Sequence, residues 1–305
     1  MKLVLHLSHY NWAARPDHYA DVLTDVAGLA EEGGMDGIAV ADHVWQHPIM
    51  GGPEADLLEA YTTLAYLAAR TRSVRLLTVV TGVHFRHPAV LAKTVTSLDV
   101  LCGGRAWLGI GTGHYEEECT GLGVPFPPLA TRYELLEDAL QMCLRLWSGE
   151  HGDDGPLDGH HLSATRLLQL PQALQRPHPP ILIAGTGARR TLPLVARYGD
   201  ACSLRPSPAI PDTLDRLRRL CDETGRDFGR IERTCAFAFD PDDGGPHSEQ
   251  LLEQLGWLAG LGIDTVIGRV DGADPRRAVE RLARHVVTAA TEIEPRPHTT
   301  HGNRP

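Results

Sequence analysis

The sequence contains very little lysine. Its 29 basic residues include only two lysines, Lys2 and Lys93, and they stand against 39 aspartates and glutamates. The net charge is -10 over 305 residues, and no long basic run interrupts it. This balance argues against a protein that binds nucleic acid or an anionic membrane surface.

Long hydrophobic runs are also missing. No apolar stretch approaches the roughly 18 residues that a membrane-spanning helix needs. The chain begins directly with the strand-like run LVLHL, without the charged, apolar and small-residue regions of a secretory signal. We therefore expect a cytoplasmic protein.

Several catalytic motifs are absent as well. The six cysteines are scattered without a CxxC pair, which predicts reduced thiols rather than disulfides or a metal site. His6 and His9 are spaced HxxH rather than HxH, and no lysine is placed to bridge two metal ions. A serine nucleophile lacks its GxSxG motif. The sequence thus predicts no bound metal and no hydrolytic serine.

What the chain does contain is a regular alternation of strands and helices. Eight short runs have the composition of strands. Several of them are apolar throughout rather than alternately apolar and polar, which is typical of parallel strands buried on both faces. The count and the length favour an α/β fold, a single (β/α)8 TIM barrel over residues 1–291. A doubly wound open sheet would show the same alternation and remains the alternative. The expected strands are Leu3–Leu7, Gly37–Ala41, Val74–Val80, Arg105–Gly111, Ile181–Gly185, Asp200–Leu204, Thr234–Phe239 and Asp264–Gly268.

Two segments depart from this alternation. Residues 149–178, rich in Gly, Pro and Asp, follow the predicted fourth helix Thr131–Trp147 and predict an insertion. Residues 292–305 have no periodicity and contain several prolines. We expect this tail to be disordered.

Histidine is concentrated where a barrel enzyme keeps its catalytic groups. In this fold those groups lie at the carboxyl ends of the strands and in the loops that follow. Histidines occur at or just after the first four predicted strands, and they are His6, His9, His43, His84 and His114.

Asp42 and His43 directly follow the second strand. A carboxylate accepts hydrogen bonds, and an imidazole can move a proton near neutral pH. The pair therefore indicates a catalytic or binding role. An equally weighted alternative is that Asp42 only caps or hydrogen-bonds the loop.

A second signal is the tripeptide Gly185–Gly187 between the fifth strand and its helix. Gly185, Thr186 and Gly187 would let backbone amides approach a phosphate, with Arg189 and Arg190 adding positive charge. The alternative is a tight turn with two solvated arginines. The other glycine-rich run, Gly109–His114, ends in His and follows the fourth strand, so it does not predict a nicotinamide site.

Four segments resemble a known family. DGIAVADHVW, VRLLTVVTGVHFRHPAVLAKTVTSLDVLCGGRAWLGIGTGHYEEE, GVPFPPLATRYELLEDAL and QRPHPPILIAGTGARRTLPLVARYGDA are similar to the luciferase-like monooxygenase superfamily. Within this superfamily, the four segments most resemble the branch of oxidoreductases that use the deazaflavin coenzyme F420. The resemblance implies a (β/α)8 barrel with an insertion after the fourth helix, a homodimer, and a flavin-type ring at the carboxyl ends of the strands.

The resemblance also implies roles for individual residues. Asp42 would hydrogen-bond the ring, and His43 would lie by its reactive C5 edge. Val79 and Val80 occupy the place where the family has a non-prolyl cis peptide bond behind the ring. The remaining cofactor contacts implied are Thr112, Gly113, Gly185, Thr186 and Gly187.

One residue departs from the family pattern. Members that oxidise a sugar phosphate have glutamate where this chain has His114. The substitution counts against the same substrate, and His114 either supplies a proton or lines the pocket.

The sequence-based hypothesis is an F420-dependent oxidoreductase. It would transfer a hydride between C5 of the deazaflavin and a C=C, C=N or C–OH group of a small organic substrate. His43, helped by His9 or His114, would move the matching proton. A two-component monooxygenase that uses FMN is the alternative, and a non-catalytic flavin-binding relative is a third possibility.

Overall fold

The structure is a computed structural model that describes residues 1–10, 12 and 14–296. In chain order its strands are β1 Lys2–Leu7, β2 Gly37–Val40, β3 Arg75–Thr78, β4 Thr81–Gly82, β5 Ala106–Gly111, β6 Leu157–Asp158, β7 Ser163–Ala164, β8 Ile181–Ala184, β9 Ala201–Leu204, β10 Glu232–Phe239 and β11 Thr265–Val270. Its α-helices are α1 Tyr19–Glu32, α2 Ala60–Arg70, α3 Pro88–Leu101, α4 Glu116–Leu122, α5 Leu129–Leu146, α6 Thr191–Tyr198, α7 Ile210–Thr224, α8 Pro246–Gly260, α9 Pro275–Leu282 and α10 Thr288–Thr291.

The sheet is a closed parallel barrel. Strand β1 pairs with both β2 and β11, which joins the beginning of the chain to its last strand. Strand β3 pairs with β2 and β5, and the order then continues through β8, β9 and β10 to β11. The prediction of a (β/α)8 barrel is confirmed, because a doubly wound sheet would leave two open edges.

The third barrel strand is interrupted by a cis peptide bond. The bond joins Val79 and Val80, the pair that the family resemblance singled out. It separates β3 from β4, and both segments pair with β5. The sequence therefore located this backbone feature correctly.

Side-chain size along the barrel axis explains why one end is open. Large residues such as Val4, Leu77 and Ile267 fill the interior below. Toward the carboxyl end several residues that face the cavity are small, and they include Gly111, Ala184, Ser203 and Ala236. At Gly109 a Cβ would lie 1.8 Å from the carbonyl oxygen of Thr78, so β3 and β5 can approach only because this residue is glycine.

The fourth strand–helix unit contains a helix that the sequence did not predict. Helix α4 follows β5 and ends at Gly123, which has a φ of +71°. A Pro-rich stretch separates it from α5, which corresponds to the predicted helix Thr131–Trp147. Glycine tolerates positive φ and proline cannot continue a helix, so the chain stops and restarts here.

The segment between α5 and β8 is held to the barrel by two buried carboxylates. It carries the small antiparallel hairpin β6–β7. Asp138 accepts hydrogen bonds from the backbone N–H groups of residues 160–162. Asp99 accepts from those of Leu174 and Gln175. The region expected as an insertion, 149–178, therefore packs closely on α3 and α5.

The carboxyl-terminal segment differs in part from the expected disorder. The backbone N–H of Arg296 donates to the carbonyl of Ala259, and the amino group of Met1 donates to the carbonyls of Ala290 and Ile293. These contacts order residues 292–296 against the barrel. The rest of the expected tail, 297–305, lies outside the described residues.

Each of the six cysteines is unpaired and buried, as the scattered spacing predicted. In the described ranges, none of the helices combines the length and apolar character that crossing a membrane requires.

Candidate active site

A cavity of about 410 Å³ opens at the carboxyl end of the barrel. It is surrounded by the ends of β2, β4, β5, β8, β9 and β10, where the inward residues are small. The residues that line it are Asp42, His43, Val79, Val80, Gly82, His84, Phe85, Gly111, Thr112, Gly113, His114, Tyr115, Glu118, Ala184, Gly185, Thr186, Ser203, Leu204, Arg205 and Ala236.

Asp42 is buried in an ion pair with Arg86. Its Oδ2 lies 2.5 Å from Nη1 of Arg86 and its Oδ1 lies 3.1 Å from Nη2. The same guanidinium reaches Oε1 of Glu59 at 2.6 Å and lies over the ring of Tyr61. Asp42 thus hydrogen-bonds a neighbouring loop, which is the arrangement expected as the alternative to a binding role. Each of its oxygens keeps a lone pair that can accept a hydrogen bond from a ligand.

His43 is paired with a buried glutamate. Its Nδ1 lies 2.8 Å from Oε2 of Glu118, which comes from α4 and is completely buried. The other oxygen of Glu118 accepts the backbone N–H groups of Val44, at 2.5 Å, and Trp45, at 2.9 Å. Burial alone would raise the pKa of Glu118, but the hydrogen bonds from His43 and the two amides bring it below its usual value.

Two further imidazoles stand beside His43. The ring centroid of His114 is 5.6 Å from that of His43, and the ring of His47 is 5.1 Å from His114. Burial is the largest cause that lowers the pKa of both His114 and His47, and the neighbouring His43 is the second. For His114, the positive charge of Arg205 lowers the pKa further. Near neutral pH these two rings are therefore uncharged hydrogen-bonding groups.

Gly113 is required by the packing of His84. A Cβ at Gly113 would lie 2.1 Å from Cε1 of His84, and the residue has a φ of +73°. Burial, and then the charge of Arg132, lower the pKa of His84 to about 4. Gly113 and His84 thus form a neutral, tightly packed part of the wall next to Thr112.

The glycine loop after β8 is divided between two surfaces. Gly185 and Thr186 line the cavity, and Gly185 has a φ of +121°. Gly187 lies away from the cavity, where a Cβ would meet the hydroxyls of Thr191 and Tyr133 at 2.9 and 3.2 Å. Arg189 and Arg190 line a separate shallow groove with Tyr133. Only the first two residues of the predicted phosphate loop therefore face the cavity.

His9 does not join the cavity lining. It is 5% exposed, and its Nε2 lies 3.8 Å from Oδ1 of Asp271 at the end of β11. Burial lowers the pKa of His9 and brings that of His6 to about 4. The sequence placed His9 correctly after β1, but the side chain packs against the β11 side of the barrel.

Two residues of the site carried no role in the sequence interpretation. Glu118 stands in the run EEE after β5, and only the fold shows which of the three carboxylates turns inward. His47 follows Asp42 and His43 in the same loop, so its position after a strand was an available signal. The partner of Asp42, Arg86, could not have been identified because the pairing is a tertiary contact.

The lining offers hydrogen-bond donors and imidazoles rather than free carboxylates. Asp42 and Glu118 are its two acidic residues, and both are engaged by groups of the protein. Gly111 adds no side chain to the floor, where a Cβ would lie 3.2 Å from Cγ2 of Val80 and 4.0 Å from Cβ of Ala184. Such a floor fits a planar ring, and Gly185 allows close approach of an anionic group.

The chain is similar in sequence to proteins whose names state a cofactor. An F420-dependent glucose-6-phosphate dehydrogenase of Gordonia bronchialis is 31% identical over 243 residues, which cover 72% of this chain and 65% of that protein. Another, from Kineococcus radiotolerans, is 33% identical over 251 residues, which cover 79% of this chain and 69% of that protein. The chain thus matches about two thirds of the length of these curated relatives.

A solved structure shows the same fold. The F420-dependent secondary alcohol dehydrogenase in complex with an F420–acetone adduct superimposes with a TM-score of 0.78 at 17% identity, covering 95% of this chain and 98% of that one. The family model described as luciferase-like monooxygenase matches residues 3–291. The resemblance found in the sequence is confirmed, and the chain belongs to the luciferase-like monooxygenase family.

Proposed function

We propose that the protein is an F420-dependent oxidoreductase. It transfers a hydride between C5 of the deazaflavin and a C=C, C=N or C–OH group of a small organic substrate. The observation that carries the proposal is that His43, the Val79–Val80 pair and the Gly185–Thr186 turn surround one cavity. The similarity to proteins named as F420-dependent enzymes supports it.

The residues present fit this cofactor. Val79, Val80 and Gly111 would support the ring from behind, and Asp42 would accept a hydrogen bond from its polar edge. Thr112 and Gly113 would contact the side chain, while the amides at Gly185 and Thr186 would hold the phosphate, with Gly187 shaping the turn. When bound, F420 supplies or accepts the hydride.

His43 is the residue that we assign to proton transfer. Its Nδ1 is occupied by Glu118, so its Nε2 is the nitrogen available to a substrate. His114 stands beside it as a second donor or acceptor. His9 receives no such role, because it is packed against Asp271 outside the cavity lining.

We propose that the substrate is not a sugar phosphate. The family members that oxidise one use a glutamate at the position of His114, and a neutral imidazole cannot replace that negative charge. The lining instead presents imidazoles, hydroxyls and Arg205. These groups favour a small molecule rich in hydrogen-bond acceptors.

Titration of the purified protein with F420 and with FMN tests the cofactor. We expect saturable quenching of F420 fluorescence, and reoxidation of reduced F420 by at least one compound in a panel of enones, imines and carbonyl compounds. Tight FMN binding with oxygen consumption, together with no response to F420, would favour the two-component monooxygenase instead.

We also propose a homodimer, as the family resemblance implied. The outer surface of α3 carries Val90, 58% exposed, and Leu101, 75% exposed. Between α2 and α3 lies an apolar groove of about 480 Å³. Exposed apolar side chains grouped along one groove are typical of protein–protein contacts.

A further inference from the structure

The carboxylate that holds His43 has no counterpart in the sequence-based hypothesis. Glu118 is completely buried, and among the described residues the hydrogen bonds to its carboxylate come from the loop after β2. Its Oε2 faces Nδ1 of His43, and its Oε1 accepts the amides of Val44 and Trp45. All of its close partners are therefore hydrogen-bond donors, as an ionised carboxylate requires.

This contact determines which nitrogen of His43 carries the proton. A neutral imidazole has one N–H, and the carboxylate at 2.8 Å can only accept it. The N–H must then be on Nδ1, which leaves Nε2 with a free lone pair. Other titratable or charged groups around the pair come from several elements, and they are Asp42, His47, His84, His114, Tyr115 and Arg205. In the described part of the chain, none of them forms a hydrogen bond with either imidazole nitrogen of His43.

We propose that Glu118 is a positioning residue that fixes the Nδ1-protonated tautomer of His43 and turns its Nε2 toward the substrate. The proposal rests on the proposed function for the step that His43 performs, but not for the tautomer itself. A proton accepted at Nε2 gives an imidazolium whose charge is balanced by Glu118, 2.8 Å away. The same proton returns from Nε2 in the opposite direction of the reaction.

Glu118 also has a structural role, which an experiment must separate from its effect on the tautomer of His43. Through the amides of Val44 and Trp45 it joins the loop after β2 to α4. Glu118→Ala would remove the contact with His43 and the link between the loop and α4 together. In Glu118→Gln the amide oxygen can still accept the two backbone N–H groups, while the NH2 group faces His43. The imidazole must then accept at Nδ1 and carry its proton on Nε2.

Ring-¹⁵N-labelled histidine and two-dimensional NMR of the cofactor-free protein test this assignment, with His43→Asn identifying the signals. We expect Nδ1–H in the wild-type protein at pH 8 and Nε2–H in Glu118→Gln. Glu117→Gln, which changes an exposed neighbour on α4, should leave the wild-type pattern. The Kd of F420 should change less than about threefold in Glu118→Gln, because the loop is kept.

The outcomes distinguish the two proposals. Nε2–H on His43 of the wild-type protein, whatever the behaviour of the Glu118 variants, would overturn the role of Glu118. An unchanged tautomer in Glu118→Gln would also overturn it. Absence of F420 binding in the wild-type protein would overturn the proposed function and leave the tautomer result standing.

Discussion

At the scale of single residues, burial decides which charged groups need a partner. Asp42 is 4% exposed, and the guanidinium of Arg86 engages both of its oxygens. Arg15 and Asp17 form a comparable pair on the surface, where both side chains are more than half exposed. The two pairs differ in solvent access, so they should differ in what the loss of one partner costs.

We expect Asp42→Asn to lower the free energy of unfolding by about 3 kcal/mol, since among the described residues Arg86 then keeps the half-exposed Glu59 as its counter-ion. Urea denaturation at pH 7 measures the change. Asp17→Asn is the control and should stay within about 0.5 kcal/mol of the wild type. Equal effects of the two substitutions would show that the buried pair contributes no more to the free energy of unfolding than the surface pair.

The histidines of the site predict how stability depends on pH. The pKa of His84 falls to about 4 in the folded protein through burial and the charge of Arg132, against an ordinary value of 6.5. Between these values the unfolded chain binds more protons than the folded chain. Stability should therefore fall as the pH is lowered from 6.5 toward 4.

Replacing His84 with Gln should flatten this dependence. The loss of unfolding free energy between pH 7 and pH 5, measured by urea denaturation, should be smaller in His84→Gln than in the wild type. Glu31 and Asp242, whose pKa values are about 2, lose their contributions only at lower pH. The exposed His18→Gln is the control, and a slope in His84→Gln equal to that of the wild type would contradict the assignment.

At the scale of elements, glycines control how closely the loops can pack at the barrel mouth. Gly113 and Gly123 flank α4 and have nearly the same φ, +73° and +71°. Gly113 is in contact with His84, whereas a Cβ at Gly123 would meet open space. The pair therefore separates the backbone cost of a side chain from its steric cost.

Gly123→Ala should cost about 1 kcal/mol, the price of a positive φ in a residue with a Cβ. Gly113→Ala should cost a further 1–3 kcal/mol or so, because His84 must move. Thermal and urea denaturation of both variants measure the difference. If the two substitutions were equally costly, the contact between Gly113 and His84 would not be tight.

The elements also show how far the sequence could be interpreted. The eight barrel strands were predicted because parallel strands buried on both faces are continuously apolar. Helix α4 was not predicted, since it has only seven residues and its first turn is the acidic run of Glu116, Glu117 and Glu118. A helix this short cannot be distinguished from a loop by the periodicity of its apolar residues.

At the scale of the whole molecule, the proposed dimer depends on the apolar surface of α3. Leu101→Lys places a charge on the most exposed of its large apolar side chains, and we expect the molecular mass in light scattering to fall from that of a dimer to that of a monomer. Arg219→Glu on the exposed side of α7 is a control that should leave the mass unchanged. A monomeric wild-type protein would refute the proposal.

The sequence by itself determined the barrel and the strand ends that carry Asp42, His43 and Gly185, because these depend on local pattern. The cis bond at Val79–Val80 was implied by the family resemblance rather than by that pattern. Only the tertiary structure decided the partners. Arg86 meets Asp42 across 44 residues and Glu118 meets His43 across 75, while His9 turns from the cavity toward Asp271. Such contacts depend on barrel closure, which brings separate strand ends to one rim and leaves each buried charge to find its counterpart there.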